Sequence, residues 1–326
     1  RYAYPDLRWE KTKTINIGTD FSFWKGRISG TIDYYYKKGK DIIFSLDVPA
    51  EYGVKTTYKN GADIKNTGFE LAVSFVPVQT KDFKWTITPT YSKNTNNVQN
   101  TGKNEYTYTD YLAGNAFENG KPVNAVYSWK FTGLDPQYGY ATFAHTSRDQ
   151  SQIVKMDDPK DYLVYSGQAD PKISGGFTTS LRYKNLTLNA NFAYSLGSVK
   201  RLNFLYSGAL TMPAPQDNLH KDLLKRWKKP GDVTDIPRYG VTPQMDSRFL
   251  EDASFLRLKN LMLSYNFPQA LLKKTNFLTH LRVFVQGQNL LTFTKFSGLD
   301  PEGVSNMYQA QYPSTRQFTF GLEVSF

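Results

Sequence analysis

The residue types that most often carry chemistry are thinly spread through this 326-residue chain. There is no cysteine, which excludes disulfides and thiolate metal sites. His145, His220 and His280 stand far apart in different connecting segments, and none has a serine or carboxylate at a spacing that suggests a triad. Asp157, Asp158 and Asp161 offer oxygen ligands to a cation such as calcium. Pro159 interrupts them and the spacing of a calcium loop is missing, so they read as a solvated acidic turn. No glycine-rich phosphate loop opens onto a helix. Neither a cofactor nor a catalytic residue is expected. What is dense is aromatic, with 23 Tyr, 22 Phe and 5 Trp. Tyr106, Tyr108, Tyr111 and Phe117 cluster, as do Tyr127, Trp129, Phe131, Tyr138 and Tyr140, and Trp227 stands in a further loop. Flat rings beside Asn, Asp and Lys suit stacking on sugars or gripping a peptide. The candidate contact residues are therefore Tyr106, Tyr108, Tyr111, Tyr127, Trp129, Tyr138, Tyr140 and Trp227. The plainer alternative is that these rings pack the loops onto themselves.

The elements that must hold these loops are strands. Gln317 to Phe326 places Phe318, Phe320, Leu322, Val324 and Phe326 on one face and Gln317, Thr319, Gly321, Glu323 and Ser325 on the other. The same period of two recurs along the chain. Ile15, Ile17, Phe21 and Phe23 form the apolar face of the first strand, and Lys25-Gly26 turns it into a second with Ile28, Ile32, Tyr34 and Tyr36. Later strands carry Phe69, Leu71 and Val73; Phe83, Trp85, Ile87 and Tyr91; Ile173, Phe177 and Leu181; Leu186, Leu188 and Phe192; Leu261, Leu263 and Tyr265; and Leu281, Val283 and Val285. Pro89, on an apolar face, is expected to mark a bulge or an edge. Leu256 and Leu258 sit on the opposite parity from Leu261, which calls for a bulge near Asn260.

About nine strands result, or eleven if the loop near Tyr127–Phe143 holds its own hairpin. Charge falls on one face of them: Asp20, Arg27, Asp33, Glu70, Lys84, Arg182, Arg282 and Glu323. Short turns alternate with long loops, expected near 38–63, 93–170, 197–253 and 292–315, and residues 217–229 offer one short helix. That alternation, with a final aromatic strand, is the pattern of an antiparallel outer-membrane β-barrel. An odd strand number cannot close on itself, and the chain opens at Arg1 without Met. The expectation is the C-terminal part of a larger barrel, residues 1–326 being wall and loops. No apolar run approaches the ~18 residues of a membrane helix. The net charge of +11 is scattered over turns and loops, which argues against nucleic acid and suits phosphorylated outer-leaflet lipid or plain solvation.

A family resemblance rests on ordered short motifs. They include Pro5-Asp6-Leu7-Arg8-Trp9-Glu10, Asn66-Thr67-Gly68-Phe69-Glu70-Leu71, Gly133-Leu134-Asp135-Pro136, Pro230-Gly231-Asp232 and Ile236-Pro237-Arg238. Phe255-Leu256-Arg257-Leu258-Lys259-Asn260, Ser264-Tyr265-Asn266-Phe267-Pro268 and Gly298-Leu299-Asp300-Pro301-Glu302 follow. Their order and spacing resemble the C-terminal part of SusC/RagA-type TonB-dependent transporters of Bacteroidetes. The resemblance implies a roughly 22-stranded barrel in the cell outer membrane with an N-terminal plug. It also implies a TonB box, a SusD-like surface lipoprotein as lid, and an oligosaccharide or peptide as the imported nutrient. Plug and TonB box are not in this chain. The rival readings are a passive porin or structural barrel, and an enzyme built on a barrel, which lacks the paired catalytic residues it would need.

Overall fold

The computed structural model describes residues 4–48, 51, 53–54, 56–101, 106–144, 163–202, 216, 221–240, 245–275, 277–303 and 312–326. His145, His220 and the Asp157, Asp158 and Asp161 turn lie outside the described residues.

Nine strands form one antiparallel sheet in which each strand pairs with the next of the nine along the chain. They are β1 (Lys11–Phe23), β2 (Ile28–Asp47), β3 (Thr56–Gln79), β4 (Phe83–Gln99), β9 (Ile173–Tyr183), β10 (Leu186–Leu196), β13 (Phe255–Asn266), β14 (His280–Thr294) and β15 (Gln317–Ser325). The connections 24–27, 80–82, 184–185 and 267–279 lie at one end of the strands, and 48–55, 100–172, 197–254 and 295–316 at the other. β1 and β15 are the two edges, and the sheet is not closed. Six smaller strands belong to the long connections: β5 (Ala125–Trp129), β6 (Phe131–Leu134), β7 (Ala141–Phe143), β8 (Leu163–Gln168), β11 (Val199–Arg201) and β12 (Leu250–Asp252).

Register fixes the faces. Trp85, Leu181, Leu188, Leu263, Val285 and Phe320 lie in one row across six strands. Nearer the short-turn end, Phe83, Tyr183, Leu186, Tyr265, Val283 and Leu322 form another. Phe318, Phe320 and Leu322 are each more than three-fifths exposed, so the row ends on open apolar surface. The opposite face carries Asp33 opposite Glu70 and an Arg282–Glu323 ion pair of 2.9 Å. On that face Gly68 lies under the Tyr35 ring, and a Cβ there would sit 2.1 Å from the ring.

The bulge expected near Asn260 falls there: both ladders of β13 shift between Leu258 and Asn260, leaving Lys259 unpaired. Three expectations are corrected. The loop expected at 38–63 is strand for most of its length. β2 and β3 run 20 and 24 residues and are joined by 48–55 alone. Lys, Asn and Gly interrupt the apolar alternation there, but backbone pairing continues past it. Pro89 marks neither bulge nor edge, because the β4–β9 register runs through Pro89↔Phe177 unbroken. The missing donor falls on the other side, where the β3–β4 ladder skips Val73 and Ser74, resumes at Phe75↔Ile87 and then shifts register between Phe75 and Val78. The helix expected over 217–229 is a 3-10 turn at Lys221–Lys225 that ends well before Pro230-Gly231, with 217–220 outside the described residues. The loop hairpin is β6 with β7, while Tyr127 and Trp129 pair instead with β8.

No described helix is long and apolar enough to cross a membrane, which says nothing of a β-barrel. At 24 residues and ~3.3 Å each, β3 is about 80 Å long, more than the ~9–11 residues that span a bilayer.

Candidate functional site

Connection 100–172 folds on its own aromatic side chains. The short helix α1 (Tyr108–Ala113) starts at a capping box in which the Thr107 hydroxyl accepts from Asp110 N, while Thr107 N donates to Asp110 Oδ2 at 2.7 Å. It ends at Gly114, whose φ of 78° suits glycine. The helix drives Tyr111 into a core with Tyr127, Trp129, Phe143 and Leu163. Tyr111 meets Tyr127 edge-on at 5.0 Å, and Tyr108 meets Trp129 at 5.5 Å. The Tyr127 hydroxyl donates to Glu118. Burial, then that hydrogen bond, pushes the Tyr127 phenol well above its ordinary range.

The structure thus places Tyr111, Tyr127 and Trp129 inside the loop body, each no more than 7 % exposed. Tyr106 and Tyr108 are half-buried on its flank. Tyr138 and Tyr140 stand apart from that core on the turn after β6. Asp135 Oδ1 accepts from Gln137 N at 2.9 Å and Tyr138 N at 2.8 Å, which shapes the turn. Tyr138 is 48 % exposed and stacks on Tyr140 at 6.3 Å. Behind them the buried Trp227 ring packs on Gly139, which has a φ of 68° and no room for a Cβ.

Connection 197–254 is locked to this body by three arginines. Arg201 Nη2 donates to Tyr127 O at 3.0 Å and Ser128 Oγ at 3.2 Å, and Nη1 to Asp246 O at 3.2 Å. Burial pushes the Arg201 guanidinium down to about 10, against the pull of Asp246. Arg238 donates to the Tyr140 hydroxyl at 2.6 Å and lies 4.4 Å over its ring. Arg248 forks onto the fully buried Asp246 carboxylate, with Nε–Oδ1 3.0 Å and Nη2–Oδ2 2.5 Å, and covers Phe131 at 3.9 Å. Trp129 N donates to Met245 O at 2.9 Å, and Trp129 and Asp246 form a parallel bridge. The described parts of the two longest connections are therefore one body.

The fourth connection is tied to the sheet by a separate network. The buried Arg257 of β13 donates from Nη2 to Asp300 Oδ1 at 2.5 Å, and from Nη1 to Glu302 Oε2 at 2.8 Å and Ser314 Oγ at 3.0 Å. Lys259, freed from the ladder by the bulge, reaches Glu302 at 2.6 Å. Burial pushes the Asp300 carboxyl up. The Arg257 guanidinium and the Ser314 and Glu302 groups outweigh it and hold the carboxyl well below the usual carboxylate range.

Sequence reading found the rings and missed their cationic partners. Arg238 and Arg257 stood inside quoted motifs, but nothing in the sequence paired Arg201, Arg248 or Asp246 with anything. His280 starts β14 at the short-turn end, exposed and far from the loop body. Among the described residues no group of three His, Cys, Asp or Glu is placed to hold a metal ion.

An antiparallel sheet with one largely apolar face, one charged face and its three longest connections folded at one end is the wall of a β-barrel. The family model described as TonB dependent receptor-like, beta-barrel, matches residues 1–290, and the chain belongs to that family. The family is one of receptors rather than enzymes. TonB-dependent receptor P3 of Formosa agariphila is 28% identical over 354 residues, covering 100% of this chain and 35% of that protein. TonB-dependent receptor SusC of Bacteroides thetaiotaomicron is 27% identical, covering 98% and 32%. A chain in the structure of the RagAB peptide transporter superposes with a TM-score of 0.83 at 31% identity, over 100% of this chain and 36% of that one. The chain spans about a third of the length of each relative.

Proposed function

We propose that this chain forms the C-terminal wall and loop crown of an outer-membrane importer of the SusC/RagA type. In this reading a SusD-like surface lipoprotein closes over the crown. TonB drives transport through a plug region that lies outside these residues, and the solute is an oligosaccharide or a peptide. The observation that carries the reading is the superposition over the whole chain on a RagAB peptide transporter chain at 31% identity. The similarity to SusC and the direction of the loops, the three longest at one end, support it. Solute or lipoprotein is met by the half-exposed Tyr138 ring, backed by Tyr140, with Tyr106 and Tyr108 on the flank. Tyr111, Tyr127, Trp129 and Trp227 hold those rings in place from within.

The test uses the full-length protein in its own membrane. Deleting its gene is expected to abolish growth on one oligosaccharide or peptide class; growth unchanged on both classes overturns the importer reading. Tyr138→Ala is expected to lower uptake or lipoprotein co-purification while barrel amount and heat resistance hold. If uptake and co-purification both stay at the parental level, Tyr138 is not a contact.

A further inference from the structure

The apolar face has a defined upper boundary on β1–β3. From the short-turn end, its rows across those strands are Phe23–Ile28–Phe75, Phe21–Gly30–Val73, Thr19–Ile32–Leu71, Ile17–Tyr34–Phe69 and Ile15–Tyr36–Thr67. Residues 15–23 match the ~9–11 residues with which a tilted barrel strand crosses a bilayer. The next row on the same face is Lys13–Lys38–Lys65, and Lys11 pairs with Lys40 beyond it. Lys65 Nζ lies 5.5 Å from the centroid of the Tyr36 ring, which confirms that row and apolar rows share a face.

Three ammonium groups directly opposite one another on adjacent strands repel. Among the described residues their one carboxylate partner is Asp63, 3.5 Å from Lys38. The Glu10 carboxylate is turned away to accept from Ile43 N. Lys11, Lys13 and Lys40 are exposed. The patch continues onto β4, where the exposed Lys93 pairs with Phe69 and Ile173 on the same face. At the long-loop ends of β9, β10, β13 and β14 the same face carries Ile173, Leu196, Leu256 and Phe293. Lysines clustered at the rim of an apolar band, with the single carboxylate of Asp63 against them, fit an anion that arrives attached to acyl chains.

We propose that Lys13, Lys38 and Lys65, with Lys11 and Lys40 above them, form a binding site for the phosphate of a phosphorylated outer-leaflet glycolipid whose acyl chains lie on Ile15, Ile17, Tyr34, Tyr36 and Phe69. The site rests on the outer-membrane reading above. Each lysine contributes about fivefold to the affinity for an anionic lipid surface, so removing three weakens binding on the order of a hundredfold.

The experiment purifies the full-length protein from the outer-membrane fraction and titrates it by native mass spectrometry. The probes are bisphosphorylated lipid A, dephosphorylated lipid A and inorganic phosphate. Absence from the outer-membrane fraction would sink the membrane reading itself, before any lipid is added. With the protein in place, the parent is expected to bind the bisphosphorylated lipid far better than the dephosphorylated one. Lys13→Ser/Lys38→Ser/Lys65→Ser is expected to lose that preference, and the triple Lys→Arg variant to keep it. If the serine variant does not assemble, Lys13→Ser alone, at the sheet edge, is expected to lose about fivefold. Equal binding of the two lipids by the parent, or unchanged binding by the serine or single variant, overturns the proposal. Displacement of the lipid by inorganic phosphate at equal concentration assigns a free-phosphate site and overturns the lipid source.

Discussion

Replacing Arg257 with Met should release the fourth connection from the wall without opening the wall. The guanidinium is 3 % exposed and bonded to Asp300, Glu302 and Ser314. Met fills much of the same volume and carries no charge. Removing one partner of a buried ion pair costs ~3–5 kcal/mol, because the other charge stays buried. Asp300 keeps hydrogen bonds from Ser314 N at 3.0 Å, Ser314 Oγ at 3.0 Å and Glu302 N at 2.9 Å, and Glu302 is partly exposed. The cost therefore falls at the lower end, about 3 kcal/mol, which multiplies loop opening on the order of a hundredfold. Amide hydrogen exchange in the assembled full-length protein reads this directly at residues 297–303, with β13 and β14 as internal controls. Arg257→Lys should fall between parent and Met, since an ammonium keeps the charge and loses the fork. Acid should act on the same contact. The Asp300 carboxyl is held below its unfolded value, so its stabilisation is complete above the usual carboxylate range and is lost as the pH falls through the lower folded value. Exchange at 297–303 within about twofold of the parent in Arg257→Met would refute the argument, given that about 3 kcal/mol is predicted.

Other outcomes follow from the same geometry. Leu188→Arg puts a charge in the middle of the apolar row and should cost ~2–4 kcal/mol, seen as loss of heat-resistant migration on a gel; normal migration would mean the face is not in lipid. Trp129→Ala empties the centre of the loop body and should cost ~3–5 kcal/mol there, so limited proteolysis should cut 100–172 while the barrel stays intact. Gly139→Ala forces a Cβ to 2.3 Å from Trp227 at a φ of 68°, and at least ~1–2 kcal/mol of local destabilisation should appear as faster exchange at 135–140. The 326-residue chain expressed alone should aggregate, because β1 and β15 expose unpaired edges; a monodisperse, protease-resistant product in size-exclusion chromatography would contradict this.

The wall was legible because a sheet with one apolar and one charged face imposes a rule on every second residue. Phe318 to Phe326, Leu186 to Phe192 and the bulge beside Asn260 could be read from parity alone. The rule stops where the band stops. Beyond Lys13, Lys38 and Lys65 the strands of β2 and β3 continue on backbone hydrogen bonds, which leave no mark on side-chain type, and so 38–63 read as loop. The loop body was half legible. Clustered rings announce packing or contact, and only coordinates separate the 3 % exposed Tyr127 from the 48 % exposed Tyr138. Arg201 and Arg257 were illegible as anchors because their partners lie 74 and 43 residues away, and no local pattern spans such distances.

The fusion of the two longest connections ties together parts of the chain that are far apart in sequence. Arg201, Arg238 and Arg248 all follow β9 and β10 in the chain, while Tyr127 O and the Tyr140 and Phe131 rings that they clasp precede those strands. The clasp joins residues 74 and 98 positions apart, so it closes long loops, at an entropic cost that rises slowly with their length. The crown holds itself by contacts among its own loops, so substitutions in it need not disturb the paired rows of the wall, and the two parts can diverge within one chain.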